Sequence, residues 1–256
     1  MIDPRAVISP RAQLGEGVRV GPFAVIGPDV VIGARTTVGA HAVIEGPTRI
    51  GQDNQIFQFA SIGAAPQDRK YQGEPTQLTI GERNVFREFC TMHRGTAQGR
   101  GLTSIGSDCL FMANSHVAHD CDVGSNVVLA NCATMGGHVQ IGEWVQLGGL
   151  SAIHQHCKVG AHAFVAGGAI LTRDLPPYVM VAGNPAAPHS INSEGLKRRG
   201  FAPEQIRTLR TAYRILYRSE LKLAQAIGQL QELARDHAEV QPLLTFIDAS
   251  TRSLVR

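Results

Sequence analysis

The chain has 256 residues, 43% of them hydrophobic and 18% charged, with a net charge of +3 at pH 7. That length and composition describe a soluble globular protein with room for one elongated domain and a smaller one. No run approaches the ~18 apolar residues that a membrane span needs, and so small and unpatterned a charge argues against nucleic acid as a partner.

MIDPRAVISP at the N-terminus has neither the basic nor the apolar region of a signal peptide, so a cytoplasmic protein is expected. Glycine is abundant at 28 residues and aromatics are scarce at 5%, which points to many tight turns rather than an ordinary α/β core. From Ile2 an apolar residue recurs at every sixth position through Ile62, again from Ile80 to Met92, and again from Ile105 to Leu171. The residue four places further on is usually small or branched, as at Ala6, Ala12 and Val18. These two positions lie two apart, so both point inward on a strand. Gly often follows the apolar residue and is expected to permit a sharp corner. Short strands joined by such corners build a parallel β-helix of triangular section; the pattern does not fix its hand.

Residues 68–79 and 98–104 break the period and are expected to protrude as loops. A phase that starts repeats at Asp68 and Glu74 would put charge where every other repeat is apolar. In the favoured phase Ile62, Met92, Val117, Met135 and Ile153 share one face, and both loops leave from its corner. Cys90, Cys109, Cys121 and Cys157 occupy the small inward position and form no CxxC pair, so they are expected to be buried and unbridged.

The repeat stops near Leu175–Pro177, and the Pro- and Gly-rich DLPPYVMVAGNPA is expected to lead out of it. The chain therefore divides into a coil domain, residues 1–189, and a helical domain, residues 190–256. A short helix is expected around Ser193 and GLKRR, and a longer one from Pro203. Residues 221–234 and 240–247 supply two more. Net charge is −1 over residues 1–188 and +4 over 189–256, which suits an acidic protein or a phosphate partner.

The chemistry concentrates between His116 and Gln155, where HVAHDC, GGH and HQHC begin in hexads 18 residues apart. His93, His119, His138 and His154 would line one face of successive coils, while His41, His156 and His162 read as solvated surface residues. His119 suits general-base work, with Asp120 as a carboxylate partner. Adjacent side chains often point apart, which weakens that pairing. No nucleophile elbow is present, so direct transfer to a substrate hydroxyl is expected, without a covalent enzyme intermediate. Backbone N–H groups near Gly136-Gly137 could polarise a carbonyl. Metal is not expected, because His116 and His119, three apart on a corner, need not converge.

HVAHDC, GGH, AIHQHC, QDRKYQGEPT, TMHRGT, LPPYVMVAGNPA and SINSEGLKRRGF together resemble the UDP-N-acetylglucosamine O-acyltransferases of lipid A biosynthesis, across essentially the whole chain. The resemblance implies an all-β left-handed parallel β-helix of hexapeptide repeats with a C-terminal α-helical domain. It implies transfer of an (R)-3-hydroxyacyl group from acyl carrier protein to the sugar 3-hydroxyl, with no cofactor beyond the carrier's phosphopantetheine. By the same resemblance His119 is the general base, Asp120 its companion and Gly137 the oxyanion donor. His93, His116, His138, His154 and Gln155 would line the sugar and thioester, and Asp68 and Lys70 on the first loop would contact substrate. Asn192, Glu194, Arg198 and Arg199 would hold the nucleotide, and Gly167 would leave room for the acyl chain end.

The resemblance also implies a homotrimer with its sites between subunits, and outward apolar residues such as Phe111, Met112, Trp144 and Leu150 would need such cover. A related N-acyltransferase carries an additional N-terminal domain, for which a repeat starting at Ile2 leaves no room. The same kind of coil would also suit a γ-carbonic-anhydrase-like zinc enzyme or a purely structural β-helix.

Overall fold

The computed structural model describes residues 1–256. Most apolar positions of the repeat end a strand of two to four residues, and the strands stack into three sheets. The first sheet has nine strands, from Val7–Ile8 to Ile170–Leu171; the second has eight, from Gln13–Leu14 to Lys158–Val159. The third has ten, beginning at Arg19–Val20. Within the coil every pairing is parallel, Ile62 against Met92 and Val117 against Met135 for example. The chain is thus a left-handed parallel β-helix of triangular section. Ile26, Ile44, Ile62, Met92, Val117 and Met135 fill its axis, all essentially inaccessible.

The corners differ from the expectation. At most of them the left-handed conformation falls on the third residue after the apolar position, and that residue is rarely Gly: Asp29, Arg35, His41, Asp120, His138 and His156 all have φ near +60°. The glycines that directly follow the apolar position have a different task. A Cβ on Gly15 would lie 2.7 Å from Ala34 N, and one on Gly142 would lie 2.5 Å from Ala161 N. They let neighbouring coils approach at the spacing of paired strands.

Both interruptions leave the corner between the first and second sheets, called here the first corner. The strands that follow start at Gln77 and Leu102, so the loops span 65–76 and 94–101, and the ends expected for them belong to the second sheet. Leu78 and Thr103 explain the shift. Both are fully buried at the small inward position ahead of Ile80 and Ile105, which makes two four-residue strands that pair with each other.

The four buried cysteines lie in the coil without disulfides. Phe111 is also inside, stacked on Phe86 with centroids 4.9 Å apart, so it presents nothing outward. The exposed apolar surface lies instead on the corner between the third and first sheets, the third corner. There Phe23, His41, Phe59 and Phe89 stack ring on ring, and Leu150 is 72% exposed.

Beyond the coil, Val179–Ala182 and Ala187–Ile191 form an antiparallel pair at the end of the third sheet. Four helices follow: α1 Ser193–Arg198, α2 Pro203–Tyr217, α3 Leu223–Asp236 and α4 Gln241–Ala249. Helices α2, α3 and α4 close around Ala212, Leu216, Ala226, Leu230 and Leu243. No helix is long and apolar enough to cross a membrane. The C-terminal segment then returns to the coil, where buried Asp174 accepts from Ser250 Oγ at 2.6 Å and from Lys158 N at 2.8 Å.

Candidate active site

His119 and Asp120 stand on the first corner between strands His116–Val117 and Asp122–Val123. In a strand, consecutive side chains point to opposite faces. Here Asp120 has φ +60°, and this corner turns it back towards its neighbour. His119 Nδ1 and Asp120 Oδ2 are 2.8 Å apart, so the pairing that adjacency argued against is made. With Nδ1–H donating to the carboxylate, the Nε2 lone pair is left to accept a proton.

Asp120 is completely enclosed. Burial alone would raise its carboxyl, but hydrogen bonds from the Thr96 hydroxyl, the His119 ring and the Thr96 N–H outweigh it and hold the group below the ordinary carboxylate range. Arg100 N donates at 2.9 Å, and the N–H of Asp120 itself donates to Thr103 Oγ1 at 2.8 Å.

The next coil brings Gly137 against the His119 ring. A Cβ on Gly137 would lie 2.5 Å from Cε1 and 2.7 Å from Nε2, so any larger residue displaces the imidazole. The Gly137 N–H donates to no protein acceptor. A proton acceptor and an unused backbone donor therefore sit side by side, which is the requirement for acyl transfer through an oxyanion.

The other histidines sort by environment. His93 is 3% exposed, and its pKa is lowered to about 4, chiefly by burial and then by the neighbouring His116, His119 and Arg94. It meets His116 edge-on, and His116 Nδ1 lies 2.7 Å from Thr91 Oγ1. His138 stands edge-on to His119 and stacks on His156 at 4.4 Å. Burial lowers its pKa, opposed by the charges of Asp120 and of Asp68 on the first loop. His154 and Gln155 occupy the corner one coil further on and are exposed. Lys70 is exposed beside Asp68, whose Oδ1 accepts from the Lys70 N–H.

Of the three residues read as solvated, His41 and His156 are exposed and His162 is half-buried, and all three are packed against other rings. His41 lies between Phe23 and Phe59, His156 supports His138, and burial lowers the pKa of His162 to about 4.

His119, Asp120 and His138 offer ligand atoms within 4.8 Å of one another. A cation there would have to displace donors, because Asp120 Oδ2 already accepts from Thr96 N, Thr96 Oγ1 and His119. His116 faces His93 and does not join this cluster.

The four nucleotide candidates do not reach this corner in one chain. Asn192 is 8% exposed; its Oδ1 caps α1 by accepting from Gly195 N, and its Nδ2 donates to His162 O. Arg199 lies over the Trp144 ring at 5.3 Å and 3.3 Å from His162 Nδ1. Trp144 and His162 belong to the second corner, between the second and third sheets. Asn192 and Arg199 thus lie at the joint between coil and helices. Glu194 and Arg198 remain exposed. Gly167 lies on the third corner, three coils along from His119 and across the first sheet. A Cβ there would meet only the backbone of Gly149, its O at 3.3 Å and its N at 3.9 Å.

Sequence reasoning passed over Thr96, Thr103 and Arg94. Arg94 is buried and donates to Gly46 O, Gly63 O and Tyr71 Oη, tying the first loop to the coil. Its signal was the HRGT run directly after Met92.

The family described as "Udp N-acetylglucosamine O-acyltransferase; Domain 2" matches residues 174–255, and the bacterial transferase hexapeptide family matches 11–46 and 102–137. The acyl-[acyl-carrier-protein]–UDP-N-acetylglucosamine O-acyltransferase of Herminiimonas arsenicoxydans is 52% identical over 210 residues, 80% of each chain. That of Janthinobacterium sp. (strain Marseille) is 54% identical over 208 residues, 80% of this chain and 79% of its own. Among solved structures, LpxA from Acinetobacter baumannii superposes with a TM-score of 0.97 at 46% identity, covering 100% of this chain and 99% of that one.

Proposed function

The chain belongs to the UDP-N-acetylglucosamine O-acyltransferase family, and on that premise we propose that it transfers an (R)-3-hydroxyacyl group from acyl carrier protein to the 3-hydroxyl of UDP-N-acetylglucosamine, the first step of lipid A biosynthesis. The observation that carries the chemistry is the His119–Asp120 pair beside the free Gly137 N–H. His119 Nε2 takes the hydroxyl proton as the sugar oxygen attacks the thioester carbonyl. The Gly137 N–H receives the developing oxyanion, and Asp120 stabilises the imidazolium. On collapse the C–S bond breaks, and the pantetheine thiolate leaves with the proton held by His119. His93, His116, His138, His154, Gln155, Asp68 and Lys70 would line the sugar and thioester, and Asn192, Glu194, Arg198 and Arg199 would meet the nucleotide.

The working form in this reading is a homotrimer in the cytoplasm, with each site shared by two copies. Two observations support it. His119 and the Arg198 segment serve different corners of one chain, so a second copy is needed to complete a site. The stacked aromatic ladder and Leu150 on the third corner form an apolar strip that needs cover. The division into a coil domain and a basic helical domain that faces the carrier protein belongs to the same proposal, with the boundary moved from 189/190 to the end of strand Ala187–Ile191, which pairs with the third sheet.

Gly167 sets the acyl length in this account. Three coils at ~4.8 Å each put it roughly 14 Å along the axis from His119, and Gly leaves the chain end unobstructed. The test is an assay of purified protein with UDP-N-acetylglucosamine and 3-hydroxyacyl carrier proteins of several lengths. The parent should prefer a long donor, at about 0.8 kcal/mol for each buried methylene, and Gly167→Met should reverse the order towards shorter ones. An unchanged ranking in the Met variant assigns the chain end elsewhere, and no acyl-sugar product with any donor rejects the proposed reaction.

A further inference from the structure

We propose that the second loop sets the aim of Asp120: Thr96 is a positioning residue that holds this carboxylate in one rotamer against His119 Nδ1, and Gly99 keeps open the space in which it sits. The inference rests on the general-base reading of His119.

Asp120 has no water-accessible surface, and a buried carboxylate persists only when its lone pairs are satisfied. Apart from His119, its oxygens accept from one short segment. Thr96 N donates to both oxygens at 3.1 Å, Arg100 N donates to Oδ1 at 2.9 Å, and Thr96 Oγ1 donates to Oδ2 at 2.6 Å. The hydroxyl contact is the shortest of these, and it goes to the same oxygen that His119 uses. Thr96 is itself 1% exposed, so its hydroxyl has no water to turn to.

Gly99 gives an independent sign that the loop is fitted to the carboxylate. A Cβ there would lie 2.5 Å from both Cγ and Oδ2 of Asp120. Its φ is not in the left-handed region, so the backbone does not itself demand glycine. Only the closeness of the carboxylate does.

Without the clamp Asp120 has a competitor to turn to, since His138 Nε2 lies 3.8 Å from Oδ2. His119 would then lose the acceptor that keeps the proton on Nδ1, and the fraction with a free Nε2 lone pair would fall. This route to lost activity leaves the substrate contacts in place, so it moves kcat and spares KM.

The experiment compares Thr96→Val, Thr96→Ser, Gly99→Ala and His119→Ala in the full-length protein. Thr96→Val should lower kcat by about 10- to 100-fold, the kinetic equivalent of one hydrogen bond to a charged group, with KM for UDP-N-acetylglucosamine unchanged. Histidine 15N NMR should show His119 moving from the Nδ1–H tautomer towards Nε2–H, and Thr96→Ser should restore both readouts. Gly99→Ala, on a protruding loop away from the core, should lower kcat in the same way and decides the matter if Thr96→Val fails to fold. Parent-like kcat in Thr96→Val or Gly99→Ala overturns the clamp, as does a loss of kcat with the His119 tautomer unmoved. An active His119→Ala protein would instead overturn the general-base reading on which the clamp depends.

Discussion

His119→Ala lowers turnover by about 10²–10⁴-fold, the usual contribution of a positioned general base, and leaves the melting temperature near that of the parent. The side chain points away from the coil axis, so its loss opens no core cavity. It also leaves Asp120 with the two Thr96 donors and Arg100 N, enough to keep the buried carboxylate satisfied. The residual rate would come from the Gly137 N–H and from holding the two substrates together. Steady-state kinetics and a thermal melt of the purified variant check this. Near-parent activity in a folded His119→Ala protein would remove the residue from the chemistry.

Arg198→Ala has the second large effect, a rise of roughly 10- to 100-fold in KM for UDP-N-acetylglucosamine, as expected when a charge-assisted hydrogen bond to phosphate is lost. The two arginines of the KRR run are not equivalent. Arg199 lies over Trp144 with one contact to His162, and burial lowers its pKa; Arg198 is exposed with no ion-pair or hydrogen-bond partner. Arg199→Ala should therefore cost thermal stability first, through lost packing. A sugar-nucleotide KM that is unchanged in Arg198→Ala would make this residue a solvated helix end.

The sixfold period exposed the coil because burial repeats with it: Ile62, Met92, Val117, Met135 and Ile153 fill one side of the axis, and the loops leave beside them. What the period could not carry was the corners. His119 and Asp120 look divergent in a strand's alternation and converge because Asp120 turns through the left-handed region. The glycines looked like corner residues, yet they serve the contact between coils. Asn192 and Arg199 look like ligand groups in a motif, and in the fold they also cap a helix and lie over an aromatic ring. Each of these depends on which coil or helix lies opposite, and spacing along one chain does not record that. The clamp on Asp120 is of the same kind, since Thr96 and Asp120 are 24 residues apart and meet only because a loop folds back.

The most direct test of the account is a mixed oligomer. His119→Ala and Arg198→Ala chains carrying different tags are co-expressed, the species bearing both tags is purified, and its activity is measured at low UDP-N-acetylglucosamine beside each variant alone. If each site takes His119 from one copy and Arg198 from the next, any trimer that holds both variants has about a third of its sites intact, whichever variant is in the majority. The mixture should then recover about a third of the parent activity, far above either variant. Activity no higher than the average of the two variants would contradict the account, since it would mean that one chain supplies both residues to its own site.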